Sequence, residues 1–198
     1  MSTEHATTLF DGETLNGWES TGNTDGWVVE DGLIFCKAEK GGYLYYTGDQ
    51  YKNLELSLEF RHEAKANSGV FFRWTDLENP VQTGIEIQIL DTYAREPATV
   101  KCCGAVYDVQ GPTHNTCKPA GEWNLMVLNA MDNRIYVTLN GEQIVDMDLD
   151  RWTTPGQNPD GTPNKFKRAF REMVEPGYIG LQDHGGKLWF RNITVRKL

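Results

Sequence analysis

The chain has 198 residues, 39% hydrophobic and 11% aromatic, and a formal net charge of -9. That length suits a single domain over 1–198 with a sizeable core, and 20 glycines with 6 tryptophans favour β-structure with many turns. The acidic balance argues against nucleic acid or an anionic membrane as partner, since both would repel the surface, and favours uncharged or locally steered ligands.

The opening "MSTEHATTLF" has no basic start, apolar run or small-residue cleavage site. No apolar stretch nears the roughly 20 residues of a membrane-spanning helix. The expected location is the cytoplasm, or the periplasm or exterior if a leader has been removed. Cys36, Cys102, Cys103 and Cys117 are irregularly spaced with no CxxC, and read as free thiols rather than as a zinc site or disulfide framework.

From residue 9 to 149, short alternating runs are punctuated by glycine, asparagine and aspartate. "GWVVEDGLIFCK" sets Asp31-Gly32 between two apolar runs, and such a pair accepts the positive φ angles of a tight hairpin. "NLELSLEFRH" puts Leu54, Leu56, Leu58 and Phe60 on one face, and "SGVFFRW", "TGIEIQIL" and "EWNLMVLNA" continue the strands. "NRIYVTLNGEQIVDMDL" predicts a second tight hairpin at Asn140-Gly141, and "GYIGLQDHGGKLWFRNITVRKL" predicts a third around Gly185-Gly186. Strands so spaced predict an all-β, two-sheet antiparallel sandwich or jelly roll. Within 165–173, Phe166, Ala169, Phe170 and Met173 recur at helical spacing and predict one short amphipathic helix. Lys165, Lys167, Arg168 and Arg171 would be its solvated face.

Several strands interrupt their apolar rhythm with polar groups on one surface. Glu86 and Gln88 alternate with Ile85, Ile87 and Ile89; Arg73 shares a face with Phe71, opposite Val70, Phe72 and Trp74; Gln182 and His184 share another face. Asp91, Tyr107 and Asp108 lie nearby in sequence. Gathered on one sheet, an acid, amides, a guanidinium and an imidazole beside aromatic rings suit a sugar, whose hydroxyls need donors and acceptors. Each position has a plainer reading: a solvated strand face for Glu86 and Gln88, a surface ion pair for Arg73, a turn for Asp183 and His184. No metal-ligand spacing is evident, although Glu86, Asp91 and His184 would form a divalent-cation site if they met in space.

"LFDGETLNGW" (9–18), "SGVFFRW" (68–74), "GIEIQILD" (84–91), "GAVYD" (104–108), "GEWN" (121–124) and the closing "YIGLQDHGGKLWFRNITVRKL" occur in that order. This ordered set, spanning 9–198, resembles the 3-keto-disaccharide hydrolase family, whose fold is concanavalin A-like. The resemblance implies a jelly roll with a sugar groove on its concave sheet, and action on glycosides first oxidised at position 3 by a separate glycoside 3-oxidoreductase. A ketone there acidifies the neighbouring proton at position 2. A base removes it, the aglycone leaves by β-elimination, and water adds to the enone, giving net hydrolysis. The base and acid expected from the resemblance are Glu86 and His184, with Arg73 or a bound divalent cation stabilising the enediolate. Gln88, Asp91, Tyr107, Asp108 and Gln182 would orient the sugar. Gln88 stands where ordinary glycanases of this fold place a second acid, which weighs against two-carboxylate hydrolysis. A non-catalytic lectin-like module and a conventional β-glycan hydrolase are the alternatives.

Overall fold

The computed structural model describes residues 5–198. The strands are β1 (Thr7–Thr8), β2 (Trp18–Ser20), β3 (Trp27–Glu30), β4 (Leu33–Cys36), β5 (Tyr43–Tyr46), β6 (Leu54–His62) and β7 (Asn67–Trp74). A single-turn helix α1 (Pro80–Thr83) precedes β8 (Ile85–Leu90), β9 (Asn124–Met131), β10 (Arg134–Leu139), β11 (Glu142–Asp148), β12 (Tyr178–Gln182) and β13 (Leu188–Lys197). One sheet runs β11-β10-β9-β6-β13-β4-β3 with β1 added to β13; the other runs β2-β5-β12-β7-β8. Every strand pairing is antiparallel and spatial neighbours are mostly distant in sequence, so the architecture is the expected two-sheet jelly roll. Among the described residues no helix is long and apolar enough to cross a membrane.

The core lies between the sheets. Leu54, Leu56, Leu58 and Phe60 of β6 are buried while the residues between them are half-exposed. From β8, Ile85, Ile87 and Ile89 enter the same core, each contributing about 2 kcal/mol through burial. All four cysteines are buried free thiols.

Two of the three expected hairpins form. Asp31-Gly32 and Asn140-Gly141 occupy two-residue turns with both residues at positive φ (51° and 76°; 54° and 88°). The third is corrected: β12 pairs with β5 and β7, whereas β13 pairs with β4 and β6, so residues 183–187 carry the chain from one sheet to the other. Gly186 makes this passage feasible, because a Cβ there would lie 2.7 Å from the Ala66 Cα. Asp183 caps the turn, its Oδ1 accepting from Gly185 N at 2.9 Å and its Oδ2 from Gly41 N at 2.7 Å.

The predicted helix over 165–173 is also corrected. Only Phe170–Glu172 forms a single 3₁₀ turn, although Phe166, Ala169, Phe170 and Met173 are all buried as the spacing required. Carbonyls that a helix would use internally are taken from elsewhere. Lys165 O accepts from Gln82 Nε2 at 3.2 Å, and Phe166 O accepts from Gly156 N at 2.7 Å. Tertiary partners outcompete local propensity here.

A bulge in β7 changes which side chains share a face. Trp74 pairs with Tyr178 and Phe71 with Gly180, so Phe72 and Arg73 together oppose Ile179, with Arg73 at φ 49°. The extra residue turns Trp74 to the Phe71 side, where its ring lies 6.2 Å from Phe71 and 5.3 Å from Tyr43. Trp74 therefore does not share a face with Val70 and Phe72.

Candidate active site

Pleating sets a row of side chains across the outer face of the smaller sheet. Tyr43 pairs with Gln182, Gly69 pairs with Gln88, and the β12–β7 register brings Gln182 beside Gly69. The row therefore reads Tyr43, Gln182, Gly69, Gln88. Glu86 stands two residues before Gln88 on the same face, while Asn67 and His184 lie on the other side of the row. Walls rise from Val81 of α1, Tyr107 and Lys165, and together these groups line a cavity of about 140 Å³. That is room for a single sugar ring, below the roughly 300 Å³ at which drug-sized pockets begin.

Gly69 is the reason for the hollow. A Cβ at this position would lie 2.8 Å from Glu86 Cγ and 2.9 Å from Glu86 Cδ, so the Glu86 side chain occupies space that only glycine leaves. The edge of β8 is closed by residues 104–110, through Gln88 N to Ala105 O at 2.9 Å and Tyr107 N to Glu86 O at 3.0 Å. This backbone contact fixes Tyr107 beside the carboxylate.

Glu86 is 8% exposed, Gln88 2% and Gln182 6%, so none belongs to a solvated strand face. Burial pushes the Glu86 carboxyl up from 4.5 to about 7, against the opposing pull of Lys165. Tyr43 and Tyr107 are likewise raised, mainly by burial, so both phenols remain donors at neutral pH. Gln182 Nε2 donates to the Tyr43 hydroxyl at 3.1 Å. On the other side, Gln88 Nε2 donates to Asn67 Oδ1 at 2.9 Å, and the Asn67 amide reaches His184 Nδ1 at 3.3 Å. With Asn67 Oδ1 engaged as acceptor, its Nδ2 donates, so a neutral His184 carries its proton on Nε2 and offers it outward.

The sequence-derived candidates separate into two groups. Glu86, Gln88, Tyr107, Gln182 and His184 line the cavity together. Asp91, Asp108 and Arg73 do not. Asp91 Oδ2 accepts from Lys65 N at 2.8 Å at the exit of β8, and Asp108 is spent on Lys165 N. Arg73 is corrected most fully. At 1% exposure, its guanidinium donates to Lys52 O, Met173 O and Asn53 Oδ1, away from the cavity. The β7 bulge caused this, and no glycine or proline stands within 70–74 to signal it. The divalent-cation set is corrected too: among the described residues no three His, Cys, Asp or Glu side chains cluster as metal ligands, and Asp91 is apart from Glu86 and His184.

Four lining residues escape a reading of the sequence. Tyr43 and Asn67 could have been found by alternation, since "YLYY" and "NSGVFF" put them in step with Tyr45 and Gly69. Val81 arrives on the single-turn α1 and Lys165 through loop packing, and neither leaves a periodic trace. Lys165, expected on a solvated helical face, is exposed, yet it lines the cavity with Nζ 4.2 Å from the Tyr107 ring centroid.

An antiparallel jelly roll with a polar pocket on the outer face of one sheet, containing amides, phenols and one buried acid, defines a carbohydrate-active sandwich protein. Residues 5–196 match the model of the 3-keto-alpha-glucoside-1,2-lyase-like domain, and the chain belongs to that family. It is 28% identical to the 3-keto-disaccharide hydrolase of Bacteroides thetaiotaomicron, over 96% of this chain and 78% of that protein. Among solved structures, a candidate glycosyl hydrolase from Parabacteroides distasonis superposes with a TM-score of 0.87 at 33% identity, covering 98% of this chain and 100% of that one. The carbohydrate-binding module CBM66 of Bacillus subtilis shares the fold, with a TM-score of 0.59 at 12% identity over 91% of this chain and 96% of that module. Family and relatives support a carbohydrate hydrolase role for this protein.

Proposed function

We propose that this protein cleaves 3-keto-glycosides by elimination followed by hydration, with Glu86 as the base and His184 as the proton donor to the leaving group. The observation that carries the reading is the acid inventory of the cavity: among the described residues Glu86 is its sole lining carboxylate, and burial sets it near neutrality. Ordinary retaining or inverting hydrolysis needs two carboxyl groups flanking the glycosidic bond, about 5–9.5 Å apart. One carboxylate poised near 7 instead suits removal of a carbon-bound proton acidified by a ketone.

The steps balance without an external oxidant. Glu86 takes the proton from carbon 2, and the electron pair moves into an enediolate on carbons 2 and 3. Collapse of the enediolate expels the oxygen at carbon 1, which takes the proton that His184 presents on Nε2. Water then adds across the enone: its hydroxyl goes to carbon 1, its proton restores His184, and Glu86 returns its proton to carbon 2, so the net change is hydrolysis. Gln88, Gln182, Tyr43 and Asn67 orient the remaining hydroxyls. The 3-keto substrate implies a separate oxidoreductase acting upstream.

The test is incubation with paired native and 3-keto disaccharides. Release of free 3-keto sugar from the oxidised member alone is expected. Cleavage of both would indicate a conventional hydrolase, and saturable binding without turnover would indicate a lectin-like module.

A further inference from the structure

Removing a proton next to a ketone places a developing negative charge on the ketone oxygen. Glu86 as a base and His184 as a donor to the leaving oxygen leave that charge without a cationic partner, and Arg73 is turned away. The remaining cation lining the cavity is Lys165.

Three features make Lys165 more than a surface lysine that happens to lean inward. Its main chain is held from both sides: Lys165 N donates to Asp108 Oδ2 at 3.0 Å, and Lys165 O accepts from Gln82 Nε2 at 3.2 Å. Gln82 closes the clamp by accepting from Lys167 N at 2.8 Å, and Phe166 is buried beneath it. The side chain lies over the Tyr107 ring, and the ring face attracts the ammonium without neutralising it. Lastly, Lys165 opposes the upward drift of Glu86, so its charge is felt inside the cavity. Arg168, from the same segment, is engaged instead by Glu172 and Glu175.

We infer that Lys165 is the oxyanion-stabilising residue of this site, its ammonium donating to the ketone oxygen as the enediolate forms, with Asp108 and Gln82 as positioning residues that hold it over the cavity. The role rests on the elimination reading above. Lys165 forms no covalent bond in this scheme: it is an ammonium throughout, and the electron pair released at carbon 2 ends on an oxygen that it contacts. Asp108 thereby gains a function its place outside the cavity did not suggest.

The experiment compares wild type with Lys165→Met and Lys165→Arg on a 3-keto disaccharide across pH, and follows the Glu86 carboxyl by ¹³C NMR. Removing one preorganised donor to an oxyanion costs about 100- to 1000-fold in kcat, so Lys165→Met should lose about that much with KM changed only several-fold. The acid limb of its kcat/KM profile and the carboxyl titration should both move to higher pH, while Lys165→Arg restores at least a tenth of wild-type kcat. A Lys165→Met enzyme within threefold of wild type overturns the role, as does a carboxyl titration unmoved by the substitution. Borohydride trapping of substrate on Lys165 would replace it with imine chemistry. Wild type inert towards every 3-keto glycoside would instead overturn the elimination reading, and this role with it, while the titration still reports whether Lys165 and Glu86 interact.

Discussion

Substituting Glu86 by glutamine should abolish turnover and stabilise the protein at the same time. In the folded chain Glu86 keeps its proton up to about 7, against 4.5 for the unperturbed group. Between those values the folded state binds more protons than the unfolded state, so stability falls as pH rises and reaches its floor above about 7. At 1.36 kcal/mol per pH unit the rise corresponds to about 3 kcal/mol, and slight solvent access reduces it to about 2 kcal/mol. Glutamine keeps the shape, carries no charge and escapes the penalty. Urea unfolding at pH 4.5 and pH 8 should show the variant equal to wild type at the lower pH and about 2 kcal/mol more stable at the higher. In a chain of this size the gain raises Tm by about 4–8 °C. Activity on a 3-keto disaccharide should drop by at least 1000-fold with sugar affinity retained. A stability difference independent of pH, or a variant less stable at pH 8, would refute the account of a carboxylate strained by burial.

Gly69→Ala adds one methyl group 2.8 Å from Glu86 Cγ, on a backbone that tolerates alanine; kcat should fall about 10- to 100-fold through displacement of the base, with circular dichroism unchanged. Arg73→Met removes a guanidinium from three acceptors and should cost about 3 kcal/mol in chemical denaturation, yet leave kcat/KM within threefold at a permissive temperature. His184→Gln should lose about 100-fold or more on a 3-keto disaccharide. It should lose far less on a 3-keto 4-nitrophenyl glucoside, whose leaving group needs no proton; equal losses on both would remove His184 from that role.

Glu86 is legible in the sequence and Arg73 is not, although the period-two rule for strands applies to both. The rule holds for β8, where Ile85, Ile87 and Ile89 lock the register into the core and Glu86 and Gln88 must emerge opposite them. It fails in β7, where a bulge adds one residue and sends Arg73 to backbone carbonyls behind the sheet. The hairpin expected at Gly185-Gly186 failed for a related cause. Two adjacent apolar runs look alike whether they pair with each other or with strands far away in sequence, and only packing of the two sheets chose.

What the sequence by itself determined is whatever local periodicity and turn chemistry dictate. That covers the all-β class, the turns at Asp31-Gly32 and Asn140-Gly141, the isoleucine face of β8, and the outward emergence of Glu86, Gln88 and Gln182. Ordered motifs added the family. Tertiary structure alone decided how deeply Glu86 is buried, and hence where its carboxyl titrates, because desolvation depends on walls supplied by residues 80–83, 104–110 and 163–168. It also decided that Lys165 is part of the cavity and Arg73 is not. Hydrogen bonds from Gln82 and Gly156 to the carbonyls of Lys165 and Phe166 override helical spacing, and such long-range bonds leave no periodic signal in the chain that makes them.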